Sequence, residues 1–483
     1  MPVAARSQKI VHNSFNSATR SSLLAALNGK VVVFVSPGYP GKRFVFDKAN
    51  ELGVRSVVID SPGSWTDDLK SSGVIERVIE VDMGSDEESV FKACVNALSE
   101  LPHIDGICTF VELSAPLTAK LCEHFDVPGH SVASVAAARD KHMTRKAVAC
   151  TASTSQYSIK NFLIREGSRD ELQLAAEHVG FPAVLKPVSG AASLGVQKVT
   201  SMEELVATYQ IISDLVSELI VSSGALERKV RLVSEETDAS SSSPDQFQSN
   251  VSSLSNTSIV LEEYISGQEV DIDMVISEGR ITFCEVSDNG PTVEPYFGET
   301  YNNCPSLLSE SDQAALEDMA FKIATDALGF RAGVFHIEGK MSPHGPRLIE
   351  VNCRMGGGPI RAVHLARSCV DLVVEQLLIS VGLPAIPEPK PKSERPCIGF
   401  VDVNATRSGS VSTIDFIEGI RHREGMIYCT PYVAVGEHII GPEEGQPTWL
   451  AEAVFTRSSP EEASRDAQSV YHEMQKLFEQ HYV

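Results

Sequence analysis

Residues 332–358 restrict what this chain can fold into more than any other stretch. "AGVFHIEGKM" and "RLIEVNCRMGGG" are apolar β-type runs joined by the tight turn "SPHGP". A strand turns successive side chains to opposite faces, so Glu350, Asn352 and Arg354 share one face and Ile349, Val351 and Cys353 the other. The second set reads as core. Three polar groups on an inward face are costly unless something binds them, the plain alternative being a half-exposed strand with a polar solvent face. Glu338 stands twelve residues before Glu350, which sets the two carboxylates opposite each other across the hairpin. Such a pair, about 5 Å apart, repels by roughly 3 kcal/mol at an effective dielectric of ~20. A divalent cation removes that repulsion, and Asn352 adds a neutral oxygen. Glu338, Glu350 and Asn352 are therefore candidate Mg²⁺ ligands. Arg354 is a fixed cation matched to phosphate or carboxylate oxygens.

Other segments supply groups suited to the same chemistry. "VLKPVSGAASLGV" puts Lys186 at a strand end, ahead of a loop holding Ser189, Gly190, Ser193, Leu194 and Gly195. Small residues let backbone amides approach phosphate oxygens, although an ordinary turn looks the same. "VLEEYISGQE" gathers Glu262, Glu263 and Glu269 around Tyr264 and Ile265; alone, it is a solvated acidic turn. A helical stretch carries Lys141 and Arg145 one turn apart. In "MGGGPIR", Gly357 and Gly358 leave backbone amides free for an anion, and Arg361 is either an anchor or a surface arginine. Glu285 and Asp288, in "CEVSDNGPT", are candidates for a substrate ammonium, with a turn cap as the alternative for Asp288. His336 reads as a neighbour of the metal residues or a satisfied core histidine, and His364 as packing.

From Lys30 onward, continuous apolar strands alternate with helices, which implies a parallel sheet covered on both faces. The expected organisation is a disordered arm (1–28), a Rossmann-like parallel domain (29–125) and linker helices (126–183). A lid (184–260) follows, with a disordered insertion at 234–258, then a catalytic domain (261–390) and an α+β tail (391–483). The insertion has ten serines in 25 residues and neither Lys nor Arg. With 64 acidic against 41 basic residues, the formal charge of −23 argues against nucleic acid or an anionic membrane as partner. Ten cysteines without CxxC spacing read as reduced thiols in a cytoplasmic protein. An acid-free start up to Asp47 leaves an organelle transit peptide as the other reading of the first residues.

The order of a lysine, a second lysine before a glycine-rich loop, a Glu-rich hinge, and Glu followed by Glu-x-Asn-x-Arg resembles the ATP-grasp superfamily of carboxylate–amine ligases. "EEYISGQEVDIDMVI" and "VSDNGPT" are similar to its dipeptide-forming branch, the carnosine synthases and L-amino-acid ligases. The resemblance implies an α/β and α+β ATP-grasp architecture: an N-terminal parallel-sheet domain, a lid and a C-terminal antiparallel-sheet domain. It implies ATP phosphates on Lys141, on Lys186 and under the loop Ser189–Gly195. Glu262 would accept from the adenine amine, Glu263, Tyr264 and Ile265 would complete adenine recognition, and Glu269 would hold the ribose. Two Mg²⁺ ions, replaceable by Mn²⁺, would sit on Glu338, Glu350 and Asn352. Arg354, with Lys186, would stabilise the transferred phosphoryl group, and Arg354, Glu285, Asp288, Gly357, Gly358 and Arg361 would contact substrate. The implied reaction joins an amino acid carboxylate to a second amino acid's amine through an acyl phosphate, within a homodimer. The alternatives are another ATP-grasp ligase of purine-pathway or carboxylase type, or a non-catalytic ATP-binding regulatory protein.

Overall fold

The computed structural model describes residues 17–190, 193–222, 225–228, 258–294, 297–442 and 447–483. Of the stretches expected to be disordered, 1–28 and 234–258, residues 1–16 and 234–257 lie outside these. Ser17–Ala25, expected as part of the arm, is a helix instead. Its anchor is Arg20, which makes a two-pronged pair with Glu375, the Nη1–Oε2 distance being 3.1 Å. Glu375 is fully buried, and a buried carboxylate without a partner is strongly destabilising.

The first sheet is parallel: β1 (Val31–Val35), β2 (Arg55–Asp60), β3 (Arg77–Glu80) and β4 (Gly106–Cys108), in the order β3-β2-β1-β4. Val32 and Phe34 share a core with helices Arg43–Glu51 and Leu372–Ser380. Val31, Val33 and Val35 share another with Glu87–Leu98 and Ala115–His124. Strand order reverses between β1 and β4, and ligands of open α/β sheets bind outside the carboxyl ends at that point. The loops leaving those ends carry Tyr39 and Lys42 after β1, and Glu112 after β4.

The second sheet is antiparallel. β5 (Asn161–Ile164), β6 (Ala183–Pro187) and β7 (Gln197–Val199) are joined, after the hairpin β8 (Leu219–Ser222) and β9 (Ala225–Arg228), by β10 (Ile259–Glu263). The order is β5-β10-β6-β7. Helices Arg169–Val179 and Met202–Glu218 cover it through Leu172, Ala175, Leu205 and Ile212. This sheet therefore begins at β5, before residue 184, and the expected cut at 260/261 falls inside β10.

The third sheet has eight antiparallel strands. They are β11 (Gln268–Ser277), β12 (Arg280–Asn289), β13 (Tyr301–Cys304), β14 (Gly333–Ser342), β15 (Gly345–Asn352), β16 (Cys397–Asn404), β18 (Met426–Pro431) and β20 (Trp449–Arg457). Between them, β17 (Gly409–Ser410) and β19 (His438–Ile439) form a separate pair. The order is β15-β14-β11-β12-β13-β16-β20-β18. β13 pairs with β16 from Tyr301↔Val401 to Cys304↔Ile398, so the Pro-rich stretch near 390 separates no sheets. Val270, Ile272, Met274, Ile337 and Val351 pack with Leu316 and Met319 of helix Glu310–Lys322. By the pleat, the opposite face carries two polar rows. Ser287, Asp271, Glu338 and Glu350 lie across four strands, with Glu285, Asp273, His336 and Asn352 beside them.

One detail overturns the simple alternation. Glu338 pairs with Glu350, but Gly339 pairs with Leu348, so Ile349 is the extra residue of a β-bulge. Leu348 is the fully buried core residue, and Ile349 is only partly buried.

Candidate active site

Register sets Glu338 directly against Glu350, yet the two are not equivalent. Lys141 Nζ lies 3.1 Å from Glu350 Oε1. Burial pushes the Glu350 carboxyl up, but Lys141, Lys186 and Arg139 together outweigh it and hold the group below its ordinary value. Burial first, and Glu350 second, push Glu338 up to about 7. Asn352 Nδ2 donates to Glu338 Oε1 at 3.2 Å, and Arg354 Nη2 donates to Asn352 Oδ1 at 3.3 Å. Among the described residues no three His, Cys, Asp or Glu side chains form a metal cluster. Two carboxylates and an amide oxygen leave most of an octahedral shell to water and phosphate oxygens, as Mg²⁺ usually has it. The donor set fits that ion.

Helix Lys141–Cys150 begins at the Asp140 cap, whose carboxylate accepts from Met143 N at 2.7 Å. It delivers Lys141 to Glu350 and, one turn later, Arg145 to Glu262. Arg145 Nε and Nη2 donate to the two Glu262 oxygens at 2.8 and 2.9 Å. Nη2 also reaches the carbonyl of the bulged Ile349 at 2.8 Å. Lys186 Nζ lies 2.6 Å from Glu262 Oε2. Burial would raise the Glu262 carboxyl, but Arg145 and Lys186 pull it down to about 2. Glu262 is thus clamped by two cations, a poor acceptor for an adenine amine and a good support for Lys186.

The glycine-rich loop is tied in from the same side. Lys141 N donates to Val188 O at 3.1 Å, and Arg139 Nη1 to Gly190 O at 3.1 Å. Ser189 precedes that carbonyl, and Leu194 is buried on the loop's far arm. Ser193 (φ 54°) and Gly195 (φ 75°) are left-handed, and a Cβ on Gly195 would stand 3.0 Å from Pro187 Cγ. At the end of β10 the backbone N–H groups of Glu263 and Tyr264 donate to Lys160 O at 3.0 Å and Pro182 O at 3.2 Å. Ile265 then leads towards β11. There Glu269 pairs with Lys340 at 3.0 Å, and Lys198 stands 4.2 Å over the Tyr264 ring.

Three expected substrate contacts are placed otherwise. Asp288 faces away from the polar rows. It accepts from Leu307 N at 2.6 Å, Asn303 Nδ2 at 3.1 Å and the Ser306 hydroxyl, which makes it the cap of the turn after β13. Glu285 lies on the polar face, but it is buried against Arg367 at 3.1 Å and against Arg395. Arg361 donates twice to Asp371, at 2.8 and 2.6 Å, and so fixes the start of helix Leu372–Ser380. Gly357 and Gly358 lie on the loop after Arg354, and a Cβ on Gly358 would meet Asp402, Glu452 and Trp449.

Residues outside the expected set complete the geometry. Glu112 bridges Arg139 at 3.1 Å and Arg354 at 3.0 Å, so the first sheet orients the arginine of the third. Lys42, on the neighbouring loop, donates to Phe110 O. Burial, then Arg354, push its ammonium down to about 7. His364 is no packing residue. Its Nε2 and His336 Nδ1 each lie 2.8 Å from an Asp273 oxygen. Asp273 sits below its ordinary value because both rings outweigh burial. Asp271 is raised well above its own, by burial first. The polar alternation in "VDIDM" carried the signal for Asp271 and Asp273; Glu112 had none, because its partners are distant in sequence.

Comparison with known proteins bears on the domain family and the fold. The sequence matches the ATP-grasp domain family over residues 228–362 and the ATP-grasp N-terminal domain family over residues 46–129. It is 28% identical over 415 residues to carnosine synthase 1 of Gallus gallus, covering 84% of this chain and 41% of that protein. It is 28% identical over 301 residues to alanine–anticapsin ligase of Bacillus subtilis (strain 168), covering 62% and 58%. The L-amino acid ligase structure from Bacillus licheniformis superposes with a TM-score of 0.68 at 20% identity, over 93% of this chain and 98% of that one. The chain is an ATP-grasp domain protein with the ATP-grasp fold. It spans about two fifths of the length of the carnosine synthases it matches. Among the described residues no helix is long and apolar enough to cross a membrane.

Proposed function

We propose that this chain is an ATP-dependent ligase that joins an amino acid carboxylate to the amine of a second amino acid, releasing ADP and phosphate. One observation carries the reading. Glu338 and Glu350 are opposed in register, inside a ring formed by Lys141, Lys186, Arg139 and Arg354. Acids alone would suit a metal, and cations alone an anion. Both together suit a metal-bound polyphosphate, whose transfer needs positioning and charge neutralisation rather than covalent help.

In this reading Lys141 and Lys186 hold the phosphates, and the loop Ser189–Gly195 covers them with backbone amides. Glu338, Glu350 and Asn352 would hold Mg²⁺, which neutralises phosphate charge when bound. A substrate carboxylate oxygen attacks the γ-phosphorus and ADP leaves. Arg354, oriented by Glu112, meets the growing charge on the transferred group. The amine nitrogen of the second substrate, having lost a proton, then attacks the acyl carbon and phosphate leaves. The acyl phosphate must be kept from water, and the lid sheet with its glycine-rich loop is the element that can close. The carnosine synthase and L-amino acid ligase relatives support amino acids as substrates.

The test is a phosphate-release screen over amino acid pairs, with mass spectrometry of the product. Pair-dependent ADP and an amide product are expected, both lost in Glu350→Ala. Retained turnover in that variant would refute the metal role.

A further inference from the structure

A second acid pair lies further along the same sheet. Asp402 and Glu452 are directly opposed on β16 and β20, each almost wholly buried. Like charges directly opposite each other in a sheet are destabilising, and the charges acting on Asp402 are all acidic: Glu452, Glu299 and Asp271. The Tyr428 hydroxyl donates to Glu452 Oε1 and Tyr432 also lowers the Glu452 carboxyl by side-chain hydrogen bonding, while no hydrogen bond of good geometry reaches the buried Glu452 Oε2.

Aromatic rings from separate parts of the chain wall this pair. Tyr432 stacks on Trp449 with centroids 6.2 Å apart. Tyr39, from the loop after β1, meets the edges of both, at 6.4 Å from Tyr432 and 6.0 Å from Trp449. Tyr39, Tyr428, Tyr432 and Trp449 are all only partly buried. Gly358 lies across the floor with φ 48°. A Cβ there would stand 3.4 Å from Asp402 Oδ1, 3.4 Å from Glu452 Oε2 and 3.5 Å from Trp449. That loop begins at Arg354, so the pocket adjoins the end of the metal strand.

We propose that Asp402, Glu452 and the four aromatic rings form the subsite for a permanently charged side chain, an alkylammonium or guanidinium, on the amine-bearing substrate. The inference rests on the ligase reading for what happens next, but the pocket is testable without it. A cation between the two carboxylates removes their repulsion, fills the vacant hydrogen-bonding capacity of Glu452 Oε2 and sits over aromatic faces. Burial pushes Glu452 up to about 7, and burial, then Glu452, raise Asp402 well above its ordinary value.

L-Lysine and L-norleucine differ by the ε-ammonium alone and serve as the probes. As amine substrates, lysine should exceed norleucine in kcat/KM by on the order of 100-fold, and Glu452→Gln and Asp402→Asn should each bring that ratio near one. A ratio near one in the unaltered chain, or one unmoved by both variants, overturns the subsite. Trp449 is one of only two tryptophans in this chain, so emission from the unaltered chain gives a second readout free of folding effects. Saturable change with lysine and none with norleucine supports the pocket even if no pair yields ADP, in which case the ligase reading alone has failed. Equal responses to both overturn it.

Discussion

Two pairs of carboxylates face each other across neighbouring strands of one sheet, and their surroundings give them opposite chemistry. Glu338 and Glu350 stand among Lys141, Lys186, Arg139 and Arg354. Asp402 and Glu452 stand among tyrosines, a tryptophan and further acids. On the proposed reading, the first pair accepts a cation only if that cation brings an anion to satisfy the lysines and arginines, and the second accepts a bare cation. A cross-strand acid pair is therefore not in itself a metal site; what surrounds it decides its ligand.

The comparison breaks most visibly at the first pair. Glu338→Gln should lower amine-dependent ADP formation on the order of 10³-fold. Its stability without ligands should stay within about 1 kcal/mol of the parent, because glutamine mimics the protonated acid, which burial and Glu350 bring to comparable weight with the ionised form near neutral pH. An active variant, or an unfolded one, would contradict this, and steady-state kinetics with a denaturation curve separates the two.

The ring of cations is tested by Arg145→Ala. It leaves the buried Glu262 with Lys186 alone and should cost about 3 kcal/mol in denaturant unfolding. No change in the unfolding midpoint would mean that Glu262 needs no second cation.

The second pair is sharpened by pH. The folded value of Glu452, about 7, lies above its ordinary 4.5. The stability it contributes is therefore complete below about 4.5 and lost as pH rises through about 7. The melting temperature of the unliganded chain should fall across that window, and the fall should be shallower in Glu452→Gln or with saturating L-lysine. Identical slopes would show that Glu452 does not titrate there.

The smallest effect belongs to a pair outside both sites. Arg361→Ala should cost about 1 kcal/mol through the lost clamp on Asp371, with KM for each substrate unchanged. A large rise in KM would return Arg361 to the substrate.

What the chain's sequence made legible follows from how local the causes are. The hairpin at 332–352 was readable because alternation and a short turn set the register of Glu338 against Glu350. The parallel sheet was readable from its continuous apolar strands. The bulge at Ile349 was not, since one inserted residue leaves no mark on composition. Glu285 and Arg361 were misplaced because their partners, Arg367, Arg395 and Asp371, meet them only in the fold. Asp288 carried both readings, and three donors settle it as a turn cap. Asp402 in "FVDVN" and Glu452 in "LAEAV" show the same sign as Glu350, an acid set inside an apolar strand. They went unread because their opposition depends on strands far apart in sequence.

The central claim is that Glu338 and Glu350 hold the metal of a bound triphosphate. Calorimetric titration of a non-hydrolysable ATP analogue, with and without Mg²⁺, into the parent chain and Glu350→Gln tests it directly. At least tenfold tighter binding with Mg²⁺ is expected in the parent, and little or no gain in the variant. An equal gain in both would place the metal elsewhere and contradict the account.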